Sequence, residues 1–380
     1  MKLLYILNVA SRVNNFSYSS IYAANKLGFD FHIAGNWGYK SNEERYADEK
    51  KYGIKIHQID FERSPISRKN KKAYVQLLDL MRKESFDAVH CNTPIGGLLG
   101  RLCAKKCNIE KVIYQAHGFH FYKGSPMLNW MVYYPVEKWL ARYTKALVTI
   151  NTEDYAFAVA KKFMKKENIF YVPGVGINLD TFQCDVGIRE IVRQDMGFQH
   201  DDIILISVGE LNKNKNTTVI ISALSKIKNP KLHYLVCGVG DEYEKLKKQV
   251  KKLKLQNNVH FLGYRTDILD LYATADIFVM PSFREGLSRS IMEAMAMGLP
   301  CVVSKIRGNV DMVDEENGGF LCFPNDVKSF SEAINMLSKD EQLRIRMKLH
   351  NFKKIKQFEL CRAQEEIEKI YTKVFLDEVS

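Results

Sequence analysis

A chain of 380 residues, 46% hydrophobic and 26% charged, is too long for one ordinary core and fits two globular domains. No apolar run approaches the ~18 residues of a membrane-spanning helix. Its eight cysteines lack CxxC spacing, which sets aside a disulfide scaffold or zinc ribbon and points to reduced, buried thiols. The net charge of +12 is one-sided: residues 1–175 hold 27 Lys and Arg against 15 Asp and Glu, whereas residues 176–380 hold 29 against 29. A basic first part suggests an anionic partner there, such as a lipid surface or a lipid-linked diphosphate. Nucleic acid is not expected, because no DNA- or RNA-binding module signature appears.

In chain order, Met1–Ala10 carries one lysine and leads into polar Ser11, Arg12 and Asn14, so it reads as a buried first strand and not as a signal peptide. Strand-like runs then alternate with helical patterns, the mark of parallel sheets with crossover helices. Leu3–Val9, Phe31–Ala34, Ala88–Cys91, Val112–Gln115, Ala146–Ile150 and Ile169–Val172 are the predicted strands of the first part. Pro173-Gly174-Val175-Gly176 marks the predicted hinge, where the charge balance also changes. Ile203–Val208, His233–Cys237, Val259–Leu262, Ile277–Met280, Cys301–Ser304 and Gly319–Cys322 repeat the theme, and Glu359 to about Val374 reads as an amphipathic helix. Between Phe119 and Tyr143, aromatic and basic residues interleave at helical spacing: His120, Lys123, Trp130, Tyr133, Tyr134, Lys138, Trp139 and Arg142. That stretch fits an interfacial segment on anionic lipid and an ordinary core helix equally well, and Glu137 and Lys138 read as helix-surface charges.

The sharpest local pattern is Glu285-Gly286-Leu287-Ser288-Arg289-Ser290-Ile291-Met292-Glu293. It follows the strand ending at Met280-Pro281-Ser282 and opens a helix stopped by Gly298 and Pro300. Glu285 would sit in the loop and Glu293 two turns up the helix, with the amides of the helix start between them. Orphan amides and the helix dipole suit phosphate, and flanking carboxylates suit sugar hydroxyls. The strand-to-helix setting matters, since two glutamates at this spacing also occur on solvated helices.

In the setting PSFREGLSRSIMEAMAMGLPCV, this Glu-x7-Glu pattern resembles the signature of retaining glycosyltransferases of the GT-B fold, family 4. Val208-Gly209-Glu210-Leu211-Asn212-Lys213-Asn214-Lys215, Cys237-Gly238-Val239-Gly240-Asp241 and Val259–Arg265 are similar to the family's other strand-end loops. Gln115-Ala116-His117-Gly118-Phe119-His120-Phe121 is similar to a segment of its bacterial capsular and exopolysaccharide transferases. The resemblance implies an α/β GT-B architecture, two Rossmann-like doubly wound domains facing a central cleft. Residues 1–175 would form the acceptor-binding domain, joined by the C-terminal helix (about 359–380), and residues 176–358 the nucleotide-sugar-binding domain.

It also implies roles. Glu285 would bond donor-sugar hydroxyls, Glu293 the ribose, and the amides of Gly286, Leu287 and Ser288 the sugar or phosphate. Lys215, with Lys213, would neutralise the diphosphate beside Gly209 and Gly238, while Tyr264 and Arg265 would meet the base. His117 would stand beside the transferred sugar, with Arg12 and His120 on the acceptor side, so that His117, Glu285 and Lys215 form the catalytic set. Glu210 departs from the family, which commonly has arginine there, and shifts phosphate compensation onto the lysines or Arg12. No Asp-x-Asp triplet or ligand-spaced cluster appears, so no metal or other cofactor is expected. The implied protein is a cytoplasmic enzyme, peripheral on the inner face of the cell membrane. It would move a hexose or N-acetylhexosamine from a UDP-sugar onto a lipid-linked glycan in capsule or exopolysaccharide biosynthesis. A GT-B-like sugar-nucleotide epimerase and a non-catalytic partner of another transferase are the alternatives.

Overall fold

The computed structural model describes residues 1–376 apart from 11, 12, 14, 39, 63, 65 and 66. The Arg12 expectation therefore lies outside the described residues. Contacts divide the chain into two compact units, Met1–Gly176 with the segment from Leu360, and Ile177–Glu359.

The first unit holds a seven-stranded parallel sheet built from β1 (Lys2–Val9), β2 (Asp30–Asn36), β3 (Lys55–Gln58), β4 (Ala88–Asn92), β5 (Lys111–Ala116), β6 (Ala146–Thr149) and β7 (Ile169–Tyr171), in the order β3-β2-β1-β4-β5-β6-β7. The second holds a six-stranded parallel sheet built from β8 (Ile203–Val208), β9 (Leu232–Cys237), β10 (Val259–Gly263), β11 (Ile277–Met280), β12 (Cys301–Ser304) and β13 (Gly319–Cys322), in the order β10-β9-β8-β11-β12-β13. Both are doubly wound α/β sheets, and each reverses its strand order once, between β1 and β4 and between β8 and β11. Ligands of open α/β sheets bind outside the carboxyl ends of strands at such reversals.

The near-continuous apolar strand sequences have a simple cause: both faces of each sheet are covered. In β1, Leu3, Tyr5 and Leu7 face one buried layer, and Leu4 and Ile6 face the other. In the second unit Leu205 joins one layer, and Ile204 and Ile206 the opposite one. The helix Leu360–Tyr371 belongs to the first unit, where Ala363, Ile367, Ile370 and Tyr371 pack with Ala23, Ala24 and Phe29. It carries an ion pair from Glu368 to Lys26 at 2.8 Å, and the Tyr371 hydroxyl meets His90 Nδ1 at 2.8 Å.

The helix Met127–Leu140 divides its aromatic-basic pattern between a packed side and an exposed one. On its inner side Trp130 and Tyr134 pack tilted or edge-on around Phe121 and Phe157. On its outer side Met127, Leu128 and Met131 are 73%, 68% and 70% exposed. Glu137 is not a surface charge, contrary to the sequence reading. Its carboxylate receives the buried Arg101 guanidinium at 2.7 Å and the Tyr114 hydroxyl at 3.1 Å, which pins the inner side to the core. Among the described residues no helix is long and apolar enough to cross a membrane.

Candidate active site

In the second unit, the loops leaving β8 and β11 meet at the strand-order reversal. Lys215 Nζ lies 2.8 Å from Glu285 Oε1, an ion pair mostly shielded from water. Neighbouring asparagines lace the two loops. Asn214 Nδ2 donates to the Arg284 carbonyl at 2.9 Å, and the Phe283 amide donates to the Asn214 carbonyl at 2.8 Å. Asn216, in the left-handed region at φ 53°, donates to the carbonyls of Pro281 and Pro324. Lys215 and Glu285 are thus held by backbone-anchored loops, which limits the ordering cost of ligand binding.

Glu285-Gly286-Leu287 leads into the helix Arg289–Ala296, whose N-cap Ser288 is buried and makes no side-chain cap. Its hydroxyl turns instead to Ser290 Oγ at 3.0 Å and to Met280 Sδ. A helix start without its side-chain cap offers first-turn amides and the positive end of the dipole to an anion. Glu293 accepts from the Tyr272 hydroxyl at 3.3 Å and from Arg289 Nε at 2.7 Å, so the carboxylate is oriented before any ligand arrives. Burial beside that carboxylate holds the Tyr272 phenol far above its ordinary range, which keeps it a proton donor.

The sequence reading passed over Arg307 and Gly308, which follow β12. Arg307 is 5% exposed and its Nε reaches the Glu285 carbonyl at 3.4 Å, placing a second cation beside the loop. Gly308 lies under Gly286 so closely that a Cβ there would stand 2.0 Å from the Gly286 oxygen. The available signal was positional, because both residues follow a strand's carboxyl end as Lys215 and Glu285 do.

Gly209 and Gly238 serve a packing purpose. A Cβ on Gly238 would fall 1.9 Å from the Gly209 carbonyl oxygen, so these glycines let the loops after β8 and β9 touch. Glu210 is exposed and accepts from Asn212 Nδ2 at 3.1 Å; Lys213 is exposed. Tyr264 is exposed beyond β10, two strands from β8, and Arg265 is engaged by Asp267. The site cluster therefore consists of Gly209, Lys215, Glu285, Gly286, Leu287, Ser288 and Glu293, with Tyr264 and Arg265 set apart on the same sheet edge.

In the first unit, His117 follows β5. Its Nε2 lies 3.0 Å from Asn92 Oδ1 at the end of β4, and the Phe16 ring sits edge-on at 5.1 Å. Burial lowers its pKa to about 4, so the ring is neutral near pH 7. His120 packs against Tyr133 with ring centroids 4.7 Å apart and planes tilted by 33°, and its carbonyl accepts from Asn129 Nδ2, which ties it to the Met127–Leu140 helix. Among the described residues no group of three or more His, Cys, Asp or Glu could hold a metal ion.

Two family profiles match this chain: "Glycosyl transferases group 1" over residues 188–354 and "Glycosyl transferase 4-like" over residues 2–151. The putative glycosyltransferase EpsD of Bacillus subtilis (strain 168) is 36% identical over 354 residues, covering 91% of this chain and 90% of that protein. The chain belongs to the GT-B glycosyltransferases of family 4 type. This glycosyltransferase is also 29% identical over 308 residues, 80% of its own length and 79% of the other's, to the UDP-Gal:alpha-D-GlcNAc-diphosphoundecaprenol alpha-1,3-galactosyltransferase of Escherichia coli. In fold it matches HepE of Anabaena, solved in complex with UDP and glucose, with a TM-score of 0.79 at 18% identity over 98% of this chain and all of that one.

Proposed function

We propose that this glycosyltransferase moves a hexose or N-acetylhexosamine from a UDP-sugar, with retention, onto a lipid-linked glycan during assembly of a bacterial surface polysaccharide. The observation that carries the reading is the Lys215–Glu285 pair, 2.8 Å apart, at the start of a helix whose N-cap side chain leaves the first-turn amides uncapped. A lysine, a carboxylate and free amides at one strand-order reversal match a diphosphate joined to a hydroxyl-rich sugar. The names of relatives support the donor and acceptor classes, since the Escherichia coli enzyme takes UDP-galactose and a diphosphoundecaprenol-linked sugar.

In this reading Lys215 and the amides of Gly286, Leu287 and Ser288 bind the diphosphate, Glu285 the sugar hydroxyls, and Glu293 the ribose. The bond from the anomeric carbon to the phosphate oxygen breaks as the acceptor oxygen bonds from the same face, and the acceptor proton passes to that phosphate oxygen. Lys215 stabilises the charge gathering on the leaving group, an effect worth a few kcal/mol for one well-placed donor. His117 contacts the transferred sugar, and no metal is required. The exposed Met127, Leu128 and Met131, on the unit that carries the net positive charge, rest on the anionic inner face of the cell membrane, where a lipid-linked acceptor is presented.

The test is a panel of UDP- and GDP-sugars with lipid-linked acceptors, following nucleotide release and product mass, with the anomeric linkage read by NMR. Transfer from one UDP-sugar with retained configuration, undiminished by EDTA, is the expected result. Inversion, a GDP-sugar preference, or restoration by magnesium after EDTA would each refute the corresponding part. Conversion of the nucleotide sugar without an acceptor would replace the reading with an epimerase.

A further inference from the structure

We propose that Asn92 is a positioning residue that keeps the proton of His117 on Nε2 and leaves Nδ1 as a bare acceptor for a substrate hydroxyl. The inference rests on the reading above, in which His117 meets the substrate. It adds which way that hydrogen bond runs and which residue sets it.

β4 and β5 pair in parallel with Asn92 opposite Gln115, so the end of β4 delivers Asn92 beside the first residue after β5. Asn92 is fully buried, and its Oδ1 lies 3.0 Å from His117 Nε2. The direction of that bond depends on which end of the amide faces the ring. On its other side Asn92 neighbours the Tyr5 hydroxyl, whose proton goes to the Phe16 carbonyl. The Tyr5 oxygen is left only to accept, so a donor suits the tyrosine side: Oδ1 faces the histidine, and Nδ2 is buried without a hydrogen bond among the described residues. An amide oxygen only accepts, so Nε2 must carry the hydrogen and Nδ1 keeps its lone pair. Nδ1 is buried and has no hydrogen-bond partner among the described residues. A buried unsatisfied polar atom is costly, and a ligand hydroxyl would relieve that cost. Phe16, edge-on to the imidazole at 77°, restricts rotation of the ring.

The groups facing His117 leave it neutral. From β4, His90 is itself neutral, its pKa lowered to about 3 by complete burial. From β1, burial holds Tyr5 protonated, and from β5 Gln115 is uncharged. Asp154, on the helix Thr152–Ala160, is occupied by Asn151 and by the Phe119 amide. A neutral histidine with this tautomer accepts from a hydroxyl and repels a carbonyl or phosphate oxygen.

Asn92→Asp tests the inference. A carboxylate against Nε2 raises the pKa of the ring, and the imidazolium then presents a hydrogen on both nitrogens. The wild-type rate should be flat from pH 6 to 8. The variant should be about tenfold slower at pH 6, roughly the worth of one hydrogen bond, and recover as pH rises. A loss equal at every pH, or no loss, would overturn the role of Asn92. His117→Ala separates the two levels: a wild-type rate in that variant defeats the functional reading of His117, whereas a slow His117→Ala beside a flat Asn92→Asp profile defeats only the positioning role. If Asn92→Asp does not fold, two-bond proton–nitrogen NMR of the wild-type histidines decides the tautomer directly. A hydrogen on Nδ1 of His117 would overturn the proposal.

Discussion

Replacing Gly308 with alanine should disable the site without touching any residue that binds substrate. Gly308 caps the short helix Asn309–Met312 at φ 77° and ψ −46°, a conformation that L residues avoid. A Cβ there would stand 2.0 Å from the Gly286 oxygen and 2.8 Å from its carbonyl carbon. Close carbon–oxygen contacts rarely fall below ~3.3 Å, so the backbones must separate by about 1.3 Å. The Gly308 side is the stiffer one, because fully buried Asn309 donates to the Ser304 carbonyl at 3.0 Å and the Ile306 amide donates to the same oxygen at 2.9 Å. The loop Glu285–Leu287 therefore yields and carries Glu285 and the helix-start amides with it. A misplacement of ~1 Å costs on the order of 100-fold in rate. Gly53→Ala is the control, since Gly53 is also left-handed at φ 64° but a Cβ added there would meet nothing within 4 Å. Gly53→Ala should lose ~1 kcal/mol of stability from backbone strain, Gly308→Ala more because its clash adds to the strain, and only Gly308→Ala should lose transfer. Nucleotide release from the donor, UDP affinity by calorimetry and thermal midpoints would be compared. A folded Gly308→Ala enzyme within about threefold of the wild-type rate, a difference under ~1 kcal/mol, would refute the steric argument.

Glu293→Ala should weaken UDP binding about 10- to 100-fold through lost charged hydrogen bonds, and calorimetry showing unchanged affinity would remove Glu293 from the ribose. Asn351 is fully buried and its Nδ2 donates to the Leu299 and Gly318 carbonyls, both at 2.8 Å, so Asn351→Ala should cost roughly 2–4 kcal/mol in a urea titration. His57, His90 and His117 have pKa values lowered by burial to about 4, about 3 and about 4, and His32 and His260 are lowered too. The unfolded chain then binds protons first on acidification. Stability should be complete above the ordinary histidine pKa of ~6.5 and fall toward pH 4, by up to ~1.4 kcal/mol per pH unit for each such histidine. A denaturation midpoint unchanged between pH 7 and 5 would contradict this. Leu128→Glu with Met131→Glu should reduce sedimentation with anionic vesicles while leaving nucleotide affinity intact, and undiminished sedimentation would count against membrane contact through that helix face.

The strands were legible because buried parallel strands write themselves as apolar runs: Ile203–Val208, Ile277–Met280, Cys301–Ser304 and Gly319–Cys322 coincide with β8, β11, β12 and β13. β3 was missed for the same reason, since Lys55-Ile56-His57-Gln58 at the sheet edge buries little and has one aliphatic residue. The Glu285–Glu293 segment was visible from its strand-to-helix setting. Its supports were not, because Arg307 and Gly308 reach the loop only through the tertiary path of β12. Asn92 was equally hidden, lying 25 positions from His117 and joined to it only by strand pairing. Glu137 shows the limit of charge reading: its partner Arg101 is 36 residues away, and no helical spacing pairs them.

The first unit is closed by residues that are made only after the whole of the second. Ala363, Ile367, Ile370 and Tyr371 cover the layer containing Ala23, Ala24 and Phe29, and Lys111 Nζ donates to the Phe375 carbonyl. On a ribosome, the sheet begun at Lys2 must wait with that apolar layer uncovered while the whole of Ile177–Glu359 is synthesised. The later, uninterrupted unit can finish folding first. Any stall or nonsense codon before Leu360 would therefore release a chain whose N-terminal half, fully translated, still lacks its last wall.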